Sequence, residues 1–429
     1  MINIIKDLIS GKRVCVLGYG REGQSSVKRI MEAGGYKSLT VSDKRDVSAD
    51  VPAGVSCVSG GGYLDCLDDY DVVFKTPGIV LNKDIADYKC EITSQTEVFM
   101  QAFGDRIIGI TGTKGKSTTS SLMYHVLKTA GLDTVFAGNI GIPVFDIADE
   151  IKAGTVVVIE LSCHQLEYIK TSPHTAVLLN VYEDHLDHYG TREKYGLAKK
   201  NIYKFQKNTD VLYTLPEVIK EWGEAPSETV YVAREDSPVK SFEDYPAVKL
   251  KGAHNVLNAA FVYDVVKRYG VSAETFIKAL ETFEPLPHRL EYAGNFHGVD
   301  FYDDSISTTV KSAISAVESI KNSAILLVGG MERGIEYEEL VEYVAKSSLK
   351  YLVCMYESGK RIYDMYEALD KPESAPKAVL VSDLEDAVEA SLAKAEAGDA
   401  VLLSPAAASY GYFKNFEERG DVFKKLIKK

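Results

Sequence analysis

Short runs of β-branched and aliphatic residues recur along the chain, each ending in a turn former, acid or amide and most leading into an amphipathic stretch. Residues 13–17, 38–42, 71–75, 107–110, 155–159 and 175–180 read as strands, because short apolar runs bounded by turn formers suit parallel sheets buried on both faces. Helical periodicity fills the gaps. One helix opens at Gly18-Tyr-Gly-Arg-Glu-Gly23 and runs to about Ala33; another follows Lys116, with Leu122, Met123, Val126 and Leu127 on one face and Gly131 as its stop. Residues 195–203 read as helix, and an Ala-rich helix starts at 252–258. The last third repeats the pattern, with strands at 324–328, 352–354, 378–381 and 400–403. Alternating strands and helices predict an α/β fold with open sheets, and 429 residues are too many for one core, so two or three domains are expected.

Composition narrows the class. Hydrophobic residues make up 45% and charged residues 26%, as in ordinary soluble proteins. Lys and Arg number 49 against 62 Asp and Glu, a net charge of −13, which argues against a nucleic-acid binder. Six cysteines show neither a C-x-x-C pair nor zinc spacing and read as reduced packing residues of a cytoplasmic protein. No apolar run approaches the ~18 residues of a membrane span, so no membrane insertion is expected.

Candidate chemistry gathers at strand ends. Thr111-Gly-Thr-Lys-Gly-Lys-Ser-Thr118 joins a strand to a helix, so loop N–H groups and the helix N-terminus favour a phosphate, with Lys116 to reach its terminal charges. The G-x-x-x-x-G-K-[ST] spacing fails by one position, because Ile110 stands where the first glycine belongs. Glu160 at the exit of the 155–159 strand is a natural Mg²⁺ ligand or else a helix-capping acid. Residues 181–189 hold three acids and two histidines, a density that reads as a metal and phosphate site with His185 as ligand. Asn255 and Asn258 cap a helix or read a base edge. In the first segment, G-x-G-x-x-G after a strand, with Asp43 beyond it, suggests a dinucleotide site, and Thr76-Pro77-Gly78 lies at another strand's carboxyl end, where open sheets bind ligands.

The loop 111–118 resembles that of the Mur ligases and of folylpolyglutamate synthetases. With Gly138-Asn-Ile-Gly141, Glu160-Leu-Ser-x-x-Gln165, Asn180-x-x-x-Asp-His185, His254-Asn-x-x-Asn258 and His288-Arg289, nearly the whole chain is similar to the Mur ligase family. The resemblance implies three α/β domains: a Rossmann-like uridine-nucleotide domain at 1–103, a P-loop-type ATPase domain at 104–286 and a Rossmann-like domain at 287–429. It implies ATP and Mg²⁺ as cofactors and an acyl-phosphate reaction. ATP would meet Gly112, Thr113, Lys114, Gly115, Lys116, Ser117, Thr118, Asn258, Arg289 and Asp304. Ser117, Glu160, His185 and Lys199 would hold metal, Lys199 as a carbamate, with Lys200 the alternative. Lys116, Lys199, His185 and Asn139 would be catalytic. The glycine motif passes from a nicotinamide cofactor to a UDP-sugar, bound by Gly18, Arg21, Glu22, Asp43, Lys44, Arg45, Thr76, Pro77, Gly78, Ser162 and Gln165.

Gly329-Gly-Met-Glu-Arg-Gly334 and Leu403-Ser-Pro-Ala-Ala-Ala-Ser409 resemble the family's glutamate-adding branch. That implies addition of D-glutamate to UDP-N-acetylmuramoyl-L-alanine by a bacterial enzyme acting as a monomer, with Thr308, Arg333, Ser409 and Phe416 at the glutamate. One departure stands out: Ile306 replaces a lysine common in that branch, which keeps L-glutamate open as the added amino acid. A folylpolyglutamate-type synthetase, a nucleotide sensor without turnover and a dehydrogenase are the other readings. Phe416 and Gly420 also suit plain core packing and helix termination.

Overall fold

The computed structural model describes residues 1–139, 141–183, 186–250 and 252–429. The described residues form three twisted sheets with helices between the strands. The first sheet has the order Ser56–Ser59, Ser38–Asp43, Arg13–Leu17, Val72–Lys75, Glu91–Thr93, all parallel. The second runs Glu228–Tyr231, Val211–Thr214, Thr175–Leu178, Ile107–Thr111, Val156–Glu160, Thr134–Gly138, also all parallel. Its three central strands are buried at every position, which is why they read as continuous apolar runs. The third runs Glu291–Phe296, Val299–Asp303, Ala400–Leu403, Ser323–Val328, Tyr351–Met355, Lys377–Val381, parallel except for the antiparallel edge strand Glu291–Phe296.

The chain separates into two compact units: residues 1–240 with 254–280, and residues 241–253 with 281–429. The first unit holds two sheets, and polar contacts join them. Arg29, 4% exposed on the helix Arg21–Ala33, pairs with Asp149 at 2.7 Å and donates Nε to the Phe145 carbonyl at 3.0 Å. Ser25 donates to Asp146 at 2.7 Å. In the second unit Asp303 and His288 pair at 2.7 Å, and the helix Phe416–Leu426 packs directly on that pair. A Cβ at Gly420 would stand 2.1 Å from His288 Nδ1 and 2.4 Å from Asp303 Oδ2, so the glycine is needed for close approach. Gly420 lies in mid-helix, which corrects its reading as a helix stop.

Candidate functional site

The nucleotide loop is built on the strand Ile107–Thr111 and the helix Lys116–Thr129. Gly115, with φ +85°, turns the chain into the helix, and a Cβ there would meet the Asn258 side-chain oxygen at 2.6 Å. Asn258 is buried against the loop and also donates to Asn255 at 2.9 Å. Asn180 braces the loop from the other side. Its Oδ1 accepts the N–H groups of Thr113 at 3.0 Å and Lys114 at 2.9 Å, while its Nδ2 donates to the Lys114 carbonyl at 3.1 Å. The Thr113 hydroxyl accepts the Tyr182 N–H at 2.9 Å and the Tyr195 hydroxyl at 3.1 Å.

Two ammonium groups converge on one carbonyl. Lys116 Nζ donates to the carbonyls of Gly112 at 3.0 Å and Thr113 at 3.1 Å, and the buried Lys199 Nζ reaches Gly112 at 2.8 Å. Lys199 also lies 4.8 Å from the centroid of the Tyr195 ring. Lys116 from the loop and Lys199 from the helix Arg192–Lys204 are thus both held on the loop backbone, in reach of a phosphate that would replace those carbonyls. Ser117 and Thr118 occupy the first turn of the helix, with Thr118 buried.

Register sets the acid beside the loop, since Glu160 pairs with Ile110 across adjacent strands. Glu160 is 1% exposed; its Oε1 accepts Asn139 Nδ2 at 2.7 Å, and its Oε2 has no hydrogen-bond partner among the described residues. A buried carboxylate oxygen left open beside a phosphate loop fits a hard divalent cation. His185, the other expected metal ligand, lies outside the described residues.

The first sheet contributes a second cluster. Gly18, with φ +92°, leaves room for the Thr76 hydroxyl, which a Cβ would meet at 2.2 Å, and Thr76 donates to the Leu17 carbonyl at 2.8 Å. The glycine motif and the Thr76-Pro77-Gly78 turn are therefore one structure. Gln165 Nε2 donates to Glu22 at 2.7 Å across the two sheets, and its Oε1 accepts the Ser162 N–H at 3.0 Å in a capping box. Arg21 Nη1 lies 3.2 Å from where a Cβ of Gly141 would stand. Beneath the turn, Lys75 is buried and donates to the carbonyls of Thr76 at 3.3 Å and Pro77 at 3.2 Å. Burial pulls the Lys75 ammonium down to about 8, against Glu167 and Glu22, which favour the charged form. Burial also raises the Glu22 carboxyl, against the Gln165 hydrogen bond and Lys75. Asp43 accepts the Tyr19 N–H at 2.8 Å and the Arg45 N–H at 2.8 Å. Burial raises this carboxyl, but Arg45 and the backbone donors outweigh it, so the net shift is downward. Lys44 and Arg45 are exposed at this strand end.

In the second unit, three neighbouring strands end in the loops that hold the remaining expected residues. Asp304 is buried: Oδ1 accepts the Leu290 N–H at 3.0 Å, and Oδ2 accepts Ser404 at 2.7 Å and Ser307. Burial pushes its carboxyl up to about 6, against Ser307, Ser404 and Arg289. Asp304 thus ties down the turn carrying Arg289. Met331 bridges Ala408, which brings the Arg333 loop beside buried Ser409. The Phe416 carbonyl accepts Ser305 Oγ at 2.8 Å; Thr308 and Arg333 are exposed, and Ile306 donates its N–H to the His288 carbonyl at 3.1 Å. Arg419, fully buried, holds the Ser305 carbonyl at 2.7 Å and the Ala407 carbonyl at 3.1 Å, a tie the sequence did not suggest. The bracing role of Asn180 and the tie made by Arg419 were missed because their partners lie far off in sequence, and Lys75 because its burial is not written in its neighbours.

A strand–loop–helix phosphate cradle with an open buried carboxylate beside it, in a three-sheet α/β chain, defines a phosphate-handling α/β protein. Family models sharpen the class: residues 110–242 match the Mur ligase middle domain and residues 288–407 the Mur ligase glutamate ligase domain. The chain is 32% identical to the UDP-N-acetylmuramoylalanine–D-glutamate ligase of Clostridium botulinum, covering 98% of both proteins. It is 34% identical to the same-named ligase of Acetivibrio thermocellus, over 99% of this chain and 98% of that protein. The chain belongs to the Mur ligase family. Solved structures share the fold: Thermotoga maritima MurF ligase in complex with ADP has a TM-score of 0.62 at 19% identity, covering 100% of this chain and 99% of that one. MurC of the same organism has a TM-score of 0.55 at 20% identity, over 97% and 99%.

Proposed function

We propose that the chain adds D-glutamate to UDP-N-acetylmuramoyl-L-alanine at the expense of ATP, through an acyl phosphate. The observation that carries the reading is the convergence of Lys116 and Lys199 on Gly112, with the open Glu160 carboxylate at the adjacent strand end. The L-alanyl carboxylate attacks the γ-phosphorus, an acyl phosphate forms and ADP leaves. The glutamate amine then attacks the acyl carbon, and phosphate departs. Positioning and charge neutralisation do this work without a nucleophilic side chain.

Lys116 exchanges its loop carbonyls for the γ-phosphate oxygens, and Asn180 and Asn258 keep the loop from following it. Ser117, Glu160, His185 and a carbamylated Lys199 would hold Mg²⁺. Bound there, the metal would neutralise charge developing on the transferring phosphoryl group. Asn139 keeps Glu160 oriented through its 2.7 Å hydrogen bond. Carbamylation adds CO₂ to the neutral Lys199 amine, freed from Gly112, with loss of a proton, and so converts a cation into an anionic ligand. The uridine nucleotide lies over the Gly18–Thr76 contact, met by Arg21, Lys44 and Arg45. Arg289 and Asp304 are assigned to the nucleotide, and Thr308, Arg333, Ser409 and Phe416 to glutamate. The D-isomer is favoured over the L-isomer because both relatives named above are D-glutamate ligases over nearly their full length.

Substrate labelled with heavy oxygen in its L-alanyl carboxylate tests the acyl phosphate. Release of inorganic phosphate carrying one label supports the route, and unlabelled phosphate alongside amide product contradicts it.

A further inference from the structure

The loop after the strand Ser323–Val328 displays Arg333 to solvent, yet the residues on either side of it are held firmly. Arg361, on the helix Tyr356–Ala368, donates Nη1 to Glu332 Oε1 at 2.6 Å and Nη2 to the Ile335 carbonyl. Its guanidinium carbon lies 5.0 Å from the ring centroid of Tyr337, which is fully buried. Glu332 Oε1 also accepts the Gly334 N–H at 2.6 Å. Residues 332, 334 and 335 are therefore fixed through one guanidinium, and only the Arg333 side chain extends outward.

The pairing has an electrostatic side. Glu332 Oε2 is buried with no hydrogen-bond partner among the described residues, so Arg361 supplies the compensation for that carboxylate. Without it, a bare anion would stand one residue from the cation meant for an anionic substrate.

We propose that the Arg361–Glu332 pair is a positioning unit that presents Arg333 to a carboxylate of the incoming glutamate. The inference rests on the assignment of Arg333 made above. A fixed backbone on both sides removes the ordering cost of a loop-borne cation, and neutralising Glu332 prevents it from repelling the ligand. Neither Arg361 nor Glu332 touches substrate in this account, and both act through Arg333.

Steady-state kinetics of the full chain, varying D-glutamate, ATP and UDP-N-acetylmuramoyl-L-alanine in turn, test it. Arg361→Ala is expected to raise KM for D-glutamate about tenfold and leave the other two KM values within about twofold. Arg361→Lys, which keeps the charge but loses the fork, gives an intermediate KM and serves if the alanine variant folds poorly. Adding Glu332→Gln to Arg361→Ala lowers the KM for D-glutamate again, because the uncompensated anion is gone; a purely structural clamp predicts no such rescue. The proposal falls if both Arg361 variants keep the parental KM for D-glutamate while Arg333→Ala raises it. It also falls if all three KM values rise together. If Arg333→Ala itself leaves the KM unchanged, the assignment of Arg333 fails and the positioning role with it.

Discussion

Glu160 shows how much chemistry one side chain can carry. A carboxylate buried to 1% exposure with an oxygen left open has no place in a merely structural strand end, since burial without compensation costs several kcal/mol. Glu160→Gln preserves shape and the Asn139 contact but removes the charge. We expect kcat to fall about a hundredfold with the melting temperature unchanged or higher; a variant with parental kcat would remove Glu160 from the metal site. Lys75 makes a different prediction. Its folded pKa of about 8 lies below the ordinary 10.5, so the folded chain binds this proton less tightly than the unfolded one. Stability therefore rises with pH between those values, and the charged form costs of order 3 kcal/mol near neutrality. Denaturant midpoints of the parent and Lys75→Met at about pH 7.5 and about pH 10 check the sign. The parent should gain on the variant at the higher pH, and a constant gap would contradict the assignment. Individual roles were partly legible. Glu160 was readable because it ends an apolar strand; Asn180 ends one too and stands in a motif, but its bracing role was not readable. Its side chain serves N–H groups 67 and 66 residues away, and no local pattern records that.

At the scale of elements, the phosphate loop is a strand end and a helix start joined through Gly115 and steadied by two asparagines. Asn180→Ala removes the side-chain oxygen that Thr113 and Lys114 share, leaving Thr113 N–H only the Asn180 backbone carbonyl at 3.0 Å, so the loop loosens while the sheet stays intact. KM for ATP should rise about tenfold, with less than about 1 kcal/mol lost in stability. Urea unfolding beside ATP kinetics checks both, and a parental KM would show that the loop needs no brace. Most strands were visible as β-branched runs, because buried parallel strands leave no room for polar residues. The strands not read include the interior Val211–Thr214, which is only four residues long, and several edge strands. Ser56–Ser59 and Glu91–Thr93 are short and partly polar, since an edge strand need not be apolar throughout. Gly420 was misread for a related reason: its meaning lies in Asp303 and His288, which the fold brings against the middle of its helix.

Across the whole molecule, the sequence divided the chain by its motifs, while contacts group the first two sheets into one unit. Arg29 explains why. Its buried guanidinium ties the helix Arg21–Ala33 to Asp149 and Phe145 of the neighbouring sheet, and helical periodicity alone assigns such a residue to solvent. Arg29→Ala should cost about 2 kcal/mol, less than a fully buried pair because Glu32 and Asp149 remain solvated. A shift in the denaturant midpoint measures it, and an unchanged midpoint would mean that the two sheets cohere without Arg29. The activity proposed for the whole chain is the joining of an activated L-alanyl carboxylate to D-glutamate. Phosphate release with ATP, Mg²⁺ and UDP-N-acetylmuramoyl-L-alanine, run separately with D-glutamate and L-glutamate and followed by product mass, tests it most directly. Release only with D-glutamate, matched by a product heavier by one glutamyl residue, is the predicted result; release with L-glutamate alone, or with neither isomer, would contradict it.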